Sequence, residues 1–204
     1  IFCVAVGMLT EAYRQRLARE ELEYERNKAE LALYKAQINP HFLFNTLNTI
    51  YGLLITHSDK TEKALERFIT LTKYMYNNAN LEFISLAEEV EYIGHYIGLQ
   101  ELRLNEFTDV RYHSEVEDDA VLVHPMLLIT FVENAFKYGI SSNTPCFVHI
   151  RLWQHGGELG FEVTNSVPGR TTAASRQMGL ANCRRRLSLL YPDRHSLDCG
   201  LTQE

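Results

Sequence analysis

One stretch organises this 204-residue chain: Gln37-Ile38-Asn39-Pro40-His41-Phe42-Leu43-Phe44-Asn45. A proline inside an otherwise helical segment removes an amide donor and kinks the backbone, so His41 directly follows an irregular point of the helix. Asn39 and Asn45 flank the histidine as polar neighbours, and the apolar residues between them can anchor the next turn. By itself, this pattern is typical of a kinked core helix that carries one hydrogen-bonded histidine.

Helix-forming residues precede the proline. Residues 10–36 are rich in Ala, Leu, Glu, Lys and Arg and contain neither Gly nor Pro, which favours a long helix. Glu20 and Asn27 interrupt one seam of a coiled coil, whereas the other seam keeps the heptad period: Leu17, Tyr24, Leu31 and Ile38. Two alternatives remain, a solvated connector helix and a signalling helix that pairs two subunits and carries motion to His41.

Two amphipathic helices are predicted after Pro40, separated by Ser58 and Asp59. Each shows one apolar face of helical spacing, formed by Phe42, Leu43, Leu47, Ile50, Leu53 and Leu54 in the first and by Leu65, Phe68, Leu71, Thr72 and Met75 in the second. These faces are too large to leave in water. Two copies of the hairpin are therefore expected to form a four-helix bundle with His41 on its outside.

The second half of the chain mixes helical and strand patterns, which predicts an α+β sandwich. A capping box at Ser85 and a Gly156-Gly157 hairpin signal are its clearest local features. The predicted elements in chain order are a helix from Ser85, a strand at 109–117, a helix from Pro125, strands at 147–154 and 158–165, a helix at 178–191 and a short strand at 196–199. Residues 166–177 have almost no apolar anchor and are predicted to form a mobile loop.

Composition excludes several classes of protein. Apolar content of 46% and charged content of 23% are ordinary for a globular protein. A net charge of −6 argues against direct nucleic-acid binding, which needs a basic surface. The four cysteines are scattered and the histidines form no zinc pattern, so a metal centre held by the protein alone is not expected.

The N-terminal segment, residues 1–9, is apolar but shorter than the roughly 20 residues that cross a bilayer. Charged residues follow it at once, as at the cytoplasmic exit of a membrane helix. The segment is either a short buried helix or the end of a membrane helix, and we favour the membrane helix. A signal peptide fits less well, because no basic region or cleavage site is visible.

A second group of polar residues lies at the end of an apolar helix pattern, at Glu133, Asn134, Lys137 and Tyr138. Taken singly, such residues are usually solvent contacts. As a set they offer an acid, an amide oxygen for a cation and a positive charge for phosphate, and Mg²⁺ is commonly bound by a few protein oxygens together with nucleotide phosphates. Gly179-Leu180-Ala181-Asn182 is predicted to start a helix, where amide groups and the helix dipole favour phosphate.

Three runs resemble one family. N-P-H-F-L-F-N at residues 39–45 resembles, almost letter for letter, the signature of the LytS-type sensor histidine kinases. Residues 133–139 resemble the N-box of histidine-kinase ATP domains, E-N-A-x-K-H-G, and residues 179–182 resemble their last glycine box, G-x-G-L-x-N. The resemblance covers about residues 37–198.

The resemblance implies an architecture in four parts. Residues 1–9 would end a membrane helix, and residues 10–36 would form the coiled-coil-like connector. Residues 37–82 would form the dimerisation and phosphoacceptor helices, and residues 83–204 a GHKL-type ATP-binding domain with a Bergerat-type α/β sandwich. The chain would lie on the cytoplasmic side of a bacterial inner membrane.

The resemblance also implies a protein-histidine kinase that uses ATP and Mg²⁺. His41 would accept the phosphoryl group, Asn45 or Asn39 would orient its ring, and Glu133 would order magnesium or accept a proton. Asn134 would ligate magnesium. The remaining nucleotide-binding candidates are Lys137, Tyr138, Thr164, Asn165, Gly179, Leu180 and Asn182. The implied partners are a second copy of the chain and a response regulator, with a LytTR-type DNA-binding domain, whose aspartate receives the phosphoryl group.

Four residues depart from the family pattern. Tyr138 stands for a histidine, Thr164 for the aspartate that reads adenine, and Ser166 and Gln177 for glycines. A hydroxyl lacks the charge that strengthens a bond to the adenine amino group, so weak Mg-ATP binding with loose base selectivity is predicted. Two alternative functions remain: a GHKL-type ATPase without phosphotransfer, and a degenerate kinase that acts as a dimeric regulator-binding scaffold with weak or no ATP turnover.

Overall fold

The computed structural model describes residues 13–17, 19–24, 40–78, 81–167 and 173–200, with the backbone alone for residues 173–180 and 182. The chain divides into two compact units, Ile1–Leu43 and Phe44–Glu204. Its elements in chain order are helices α1 (Pro40–Ile55) and α2 (Thr61–Asn78), strand β1 (Ile84–Ser85), helix α3 (Leu86–Glu101), strands β2 (Thr108–Val116) and β3 (Leu122–Val123), helix α4 (Ile129–Gly139), strands β4 (Cys146–His155) and β5 (Glu158–Asn165), and helix α5 (Ala173–Leu190).

The first unit is helical wherever it is described, at residues 13–17, 19–24 and 40–43. An ion pair of 3.0 Å between Arg16 and Glu20 bridges successive turns there. The predicted end of a membrane helix, residues 1–9, lies outside the described residues, as does most of the predicted coiled-coil seam. Among the described helices, none is long and apolar enough to cross a bilayer.

Helix α1 begins at Pro40, a position that proline tolerates because a first-turn residue has no intrahelical N–H partner to lose. The residues before the proline lie outside the described part, so the kink stays a prediction. Helices α1 and α2 follow each other across a short turn, as the spacing of their apolar residues predicts. Their assembly into a four-helix bundle also stays a prediction.

The second unit contains a three-stranded mixed sheet of order β2-β4-β5. Strands β4 and β5 form the predicted antiparallel hairpin, and its turn residues Gly156 and Gly157 both have positive φ, 56° and 87°. Positive φ at both central positions gives a turn whose twist matches the strands, and glycine adopts it without a steric penalty. Strand β2 pairs parallel to β4, so the chain must cross over between them, and this crossover contains α4.

Helices cover one face of this sheet. Val148, Ile150 and Leu152 of β4 are at most 1% exposed and alternate with outward-facing residues. Helix α3 reaches the same face at β2, where the Tyr112 hydroxyl donates to the Val90 carbonyl at 3.2 Å. Helix α4 reaches it at β5, where Phe131 meets Phe161 edge to face. The predicted α+β class is confirmed.

Helix α2 packs on the outer side of α3. Its buried residues include Leu71 and Met75, and the rings of Tyr74 and Tyr92 stack with centroids 4.1 Å apart. Helix α3 itself starts with the predicted capping box: the Ser85 hydroxyl accepts the Glu88 N–H, and the Glu88 carboxylate accepts the Ser85 N–H. A cap of this kind satisfies two amides that the helix leaves unpaired.

Two predicted helix starts and one predicted strand are wrong. Helix α4 starts at Ile129 and not at Pro125, because Met126 has a φ of 56°, which an α-helix cannot contain. Helix α5 starts at Ala173, inside the segment predicted as a mobile loop; its alanines, Arg176 and Gln177 are strong helix formers despite the missing apolar anchors. Residues 196–199 form no strand, and no neighbouring strand pairs with them among the described residues.

Candidate functional site

His41 is exposed on the first turn of α1, directly after the proline that starts the helix. The following residue, Phe42, is buried, and Asn45 is half-buried further along the same helix. A histidine next to a helix start that faces solvent can be reached by a second protein surface. Asn39, the other residue predicted to orient the ring, lies outside the described residues. His41 belongs to the first compact unit, and the other candidate residues belong to the second.

Helix α4 carries the second group. Asn134 and Lys137 are three residues apart and share one side of the helix. Lys137 is exposed, and its Nζ lies 5.0 Å from the centroid of the Tyr138 ring, a distance at which a cation is attracted to an aromatic face. The Tyr138 ring is therefore close enough to interact with the positive charge of Lys137. Tyr138 stands at the position where the family has a histidine.

Glu133 lies on the side of α4 that faces α3. Burial, followed by the negative charge of Glu133, raises the pKa of Tyr92 and that of Tyr96. The Tyr96 ring meets Phe136 edge to face. The carboxylate therefore lies near buried tyrosines of α3, and Lys137, four residues further along α4, lies on the neighbouring turn of the same side.

Asn134 contacts helix α5. Its Nδ2 lies 3.9 Å from the Sγ of Cys183, and burial raises the pKa of that thiol. The contact joins the helix of the N-box to the helix that carries the glycine box. Cys183 was not among the candidate residues, since a lone buried cysteine has no sequence signal beyond its place one residue after Asn182.

The end of α4 touches the end of β5. A Cβ built on Gly139 would come within 2.8 Å of the Cβ of Asn165, closer than real Cβ atoms approach. The Asn165 amide donates to the Ser166 carbonyl at 2.6 Å. Ser166 continues the pairing with β4, because its hydroxyl accepts the Phe147 N–H at 2.7 Å and its own N–H donates to the Phe147 carbonyl at 3.0 Å.

Thr164 faces the other way. It is exposed and pairs with His149 across the hairpin, on the face of the sheet that α3 and α4 leave open. Its hydroxyl lies 3.5 Å from the His149 carbonyl. The structure thus groups Asn165 with the end of α4 and puts Thr164 on the opposite face. Strand alternation assigns neighbouring residues to opposite faces, and the sequence motif did not determine which of the two faces the helices.

Gly179 lies inside α5, beyond its first turn, because the helix begins at Ala173. The expectation that Gly179 starts a helix and presents free amides to phosphate is therefore wrong, since the amides inside a helix are already paired. The side chains of Leu180 and Asn182 lie outside the described part, so their roles stay predictions. In the basic run that follows, Arg184 and Arg185 are exposed, whereas Arg186 is half-buried.

One buried acid was missed by the sequence analysis. Glu89 of α3 is 0% exposed, and burial raises the pKa of its carboxyl group. Its neighbours on the inward face of α3 are Leu86 and Ile93, both 0% exposed. A charged residue at a position where helical spacing demands an apolar one is the signal that would have identified it.

Comparison with known proteins places the chain among sensor kinases. A family model described as histidine kinase matches residues 29–107. Sensor protein LytS of Bacillus cereus is 31% identical over 152 residues, which are 74% of this chain and 26% of the relative. Sensor histidine kinase YesM of Bacillus subtilis is 25% identical over 207 residues, 96% of this chain and 34% of the relative.

Sensor histidine kinase BtsS of Escherichia coli is 32% identical over 140 residues, 65% of this chain and 25% of the relative. The chain spans about a quarter to a third of the length of these curated relatives. The match of the histidine-kinase model includes the Pro40-His41 run. The alignment with YesM covers nearly the whole chain. The chain belongs to the family of LytS-type sensor histidine kinases.

Proposed function

We propose that the chain is the kinase part of a membrane-associated sensor that phosphorylates its own His41 from Mg-ATP and passes the phosphoryl group to a response-regulator aspartate. The observation that carries this proposal is the exposed His41 directly after Pro40, within the N-P-H-F-L-F-N run. Histidine can present an unprotonated ring nitrogen as a nucleophile near neutral pH. An exposed position lets a catalytic surface reach that nitrogen.

The residues of α4 fit a nucleotide with its metal. Asn134 offers an amide oxygen, and Lys137 offers an exposed cation on the same side of the helix. Mg-ATP, when bound, supplies the phosphoryl group and the cation that neutralises its charge. Asn134 and Lys137 would hold these groups, and Glu133, one turn before Lys137 on the same side of α4, would order magnesium or accept a proton.

Asn165 is the better candidate for reading the base. It lies on the helix-covered face of the sheet and contacts Gly139 at the end of α4, whereas Thr164 lies on the open face. An amide offers both an acceptor and a donor, so it can bind the adenine amino group without the charge of an aspartate. Weak binding with loose base selectivity therefore stays the expected behaviour.

Dimerisation is supported by the apolar surface of α1 and α2. Phe44, Leu47, Tyr51, Leu54 and Ile55 of α1 are between 44% and 68% exposed. They recur at helical spacing along one side of the helix. Leu65 and Ile69 of α2 are each 44% exposed. A patch of this size on a single chain marks an interaction site, and a second copy of the same hairpin is the proposed partner.

The response regulator and the membrane complete the proposal. The phosphoryl group would pass to an aspartate of a regulator with a LytTR-type DNA-binding domain. The apolar residues 1–9 would place the chain on the cytoplasmic side of a bacterial inner membrane. Their composition, and the charged residues that follow, support this location.

A labelling experiment tests the proposal. The purified dimer is incubated with radiolabelled ATP and Mg²⁺, and acid-labile label on the protein is counted. His41→Gln is expected to abolish the label while ATP affinity stays within error. The matched control is His113→Gln, whose side chain is 62% exposed on β2 and which should label normally. Persistent label on the His41 variant would refute the assignment.

One observation favours a second function. Ser166 both accepts a hydrogen bond from Phe147 of β4 and donates one to it, so it is held on the sheet. The family has a glycine at this position, where the loop approaches the nucleotide. A protein that no longer turns over ATP could still act as a dimeric scaffold that binds the regulator. In that case the wild-type protein would show neither acid-labile label nor phosphate release, and it would still retain the regulator on an affinity column.

A further inference from the structure

The turn at residues 125–128, hereafter the lead-in turn, connects β3 to α4. Met126 adopts a φ of 56° there, a left-handed conformation that costs energy for a residue with a side chain. Such a conformation persists only where the surrounding structure holds it. Helix α4 has no side-chain cap at Leu128, so the point at which it starts depends on the contacts of the lead-in turn.

Glu89 of α3 holds the amide groups of this turn. Its two carboxylate oxygens accept the Met126 N–H at 3.0 Å and the Leu128 N–H at 3.1 Å. The carboxylate is fully buried, and a charged acceptor on amides at a helix start forms strong hydrogen bonds. Burial raises the pKa of Glu89, and the bonds from Tyr74 and from the backbone amides oppose that rise.

Arg186 of α5 holds the carbonyl groups of the same turn. Its Nη1 donates to the Met126 carbonyl and its Nη2 to the Pro125 carbonyl, both at 2.9 Å. The planar guanidinium fork suits two neighbouring acceptors, which an ammonium group could not satisfy in the same way. The lead-in turn is therefore bound by Glu89 through its amide groups and by Arg186 through its carbonyl groups.

Tyr74 of α2 completes the arrangement. Its hydroxyl donates to the Glu89 oxygen that also accepts the Met126 amide, at 2.5 Å. The ring is fixed by its stack on Tyr92. Burial, and next the charge of Glu89, strongly raise the pKa of the Tyr74 phenol, which favours the protonated hydroxyl that donates to Glu89.

We propose that Glu89, Arg186 and Tyr74 are positioning residues that clamp the lead-in turn and thereby transmit the position of α2 to the start of α4. One carboxylate oxygen accepts both the Tyr74 hydroxyl and the Met126 amide. If α2 moves and withdraws the Tyr74 hydroxyl, the Glu89 carboxylate that holds the strained turn loses one of its hydrogen bonds. Because the turn leads into α4, this loss would reach the helix that carries Asn134 and Lys137. The consequence for nucleotide binding rests on the proposed function, whereas the clamp itself does not.

Hydrogen exchange tests the clamp on the whole chain without any activity. Tyr74→Phe keeps the stacked ring and removes one donor, and Arg186→Gln removes the fork. Both should speed exchange at the Met126 and Leu128 amides and along α4 by about tenfold, the scale expected for losing a bond to a charged group. The amides of β4 should keep their wild-type rates, which separates local opening from global unfolding.

Two matched variants serve as controls. Tyr112→Phe removes another tyrosine hydroxyl that bonds to α3, at the Val90 carbonyl. Arg185→Gln removes the neighbouring exposed arginine of α5. Neither should change exchange in the lead-in turn. Equal effects of Tyr74→Phe and Tyr112→Phe, or a uniform rise that includes β4, would overturn the clamp and leave only an ordinary loss of stability.

The second arm measures labelling of His41 against ATP concentration. Tyr74→Phe and Arg186→Gln should raise the ATP concentration for half-maximal labelling by about threefold to tenfold, whereas the two control variants should not. Faster exchange without any change in this concentration would confirm the clamp and refute its coupling to the nucleotide. A wild-type protein that does not label would refute the proposed function, and the exchange result would still decide the clamp.

Discussion

Gly139 and Asn165 lie in direct contact, so that a Cβ on Gly139 would come within 2.8 Å of the Cβ of Asn165. The first is the last residue of α4 and the second is the last residue of β5. The missing side chain at Gly139 lets the end of the N-box helix approach the strand. This approach joins the residues proposed to bind phosphate to the residue proposed to read the base.

Gly139→Ala should therefore weaken nucleotide binding. Alanine favours the helix itself by about 1 kcal/mol over glycine, so any loss must come from the contact with Asn165. We expect at least about tenfold weaker binding of a non-hydrolysable ATP analogue by calorimetry, because a displaced hydrogen-bonding group at a site costs on the order of 1–3 kcal/mol.

Gly94→Ala is the matched control, since a Cβ there would meet only the Tyr112 ring, at an ordinary 3.8 Å. It should bind the analogue like the wild type. Unchanged affinity in the Gly139 variant would show that Asn165 can move aside without consequence, and the proposed base site would have to lie elsewhere.

Asn165→Asp should tighten adenine binding and widen the preference for adenine over guanine. The substitution restores a charged acceptor on the helix-covered face of the sheet. Thr164→Asp, which the motif comparison alone would select, should change neither property, because Thr164 lies on the open face. Calorimetric titration of both variants with an ATP analogue and its guanine counterpart measures the adenine affinity and the preference for adenine over guanine. The reverse pattern would restore Thr164 as the base-reading residue.

Leu65→Asp combined with Ile69→Asp should convert the protein to a monomer. Both side chains are 44% exposed, so the two charges act on a surface and leave the core of the unit intact. Phe68 is an equally plausible choice from the sequence, but its side chain is half-buried. A charge there would also destabilise the fold, so a loss of dimer could not be separated from a loss of stability. Light scattering at micromolar concentration measures the mass. Lys63→Asp, on an exposed polar position, should remain dimeric, and a monomeric wild type would refute the interface.

His124 should make the protein less stable in mild acid. Burial, and to a smaller extent Arg186, lower the pKa of His124 below its ordinary 6.5 while Glu82 opposes the shift. A histidine with a lowered pKa in the folded state contributes stability above its unfolded pKa, and this contribution is lost as pH falls through the folded value. The stability that His124 contributes is therefore expected to be lost below about pH 6.5.

The substitution His124→Phe should remove this dependence. The ring lies between Phe83 and Tyr191, and among the described residues its buried Nδ1 has no hydrogen-bond partner. Urea unfolding of wild type and variant at pH 7.5 and 5.5 provides the measurement. The wild-type midpoint should fall more than that of the variant, and equal falls would show that His124 does not titrate within the fold.

Features that depend on neighbours in sequence were predictable. The capping box at Ser85 and the Gly156-Gly157 turn form where their residue types demand them, because capping and turn chemistry act over three or four residues. The periodicity of β4 and β5 likewise predicts a strand pair with one buried face. The family motif selects His41 and the residues of α4 as candidates, because contiguous runs of that length carry their own specificity, and the roles of these residues stay predictions.

Other features depend on contacts between residues far apart in sequence. The start of α4 depends on Glu89 and Arg186, which lie 37 and 60 residues from Met126. The choice between Thr164 and Asn165 depends on which face of β5 the helices cover, and a motif contains no information about faces. Burial turns Glu89 from an apparent surface acid into the acceptor of the lead-in turn, because only packing removes a carboxylate from water and supplies its donors.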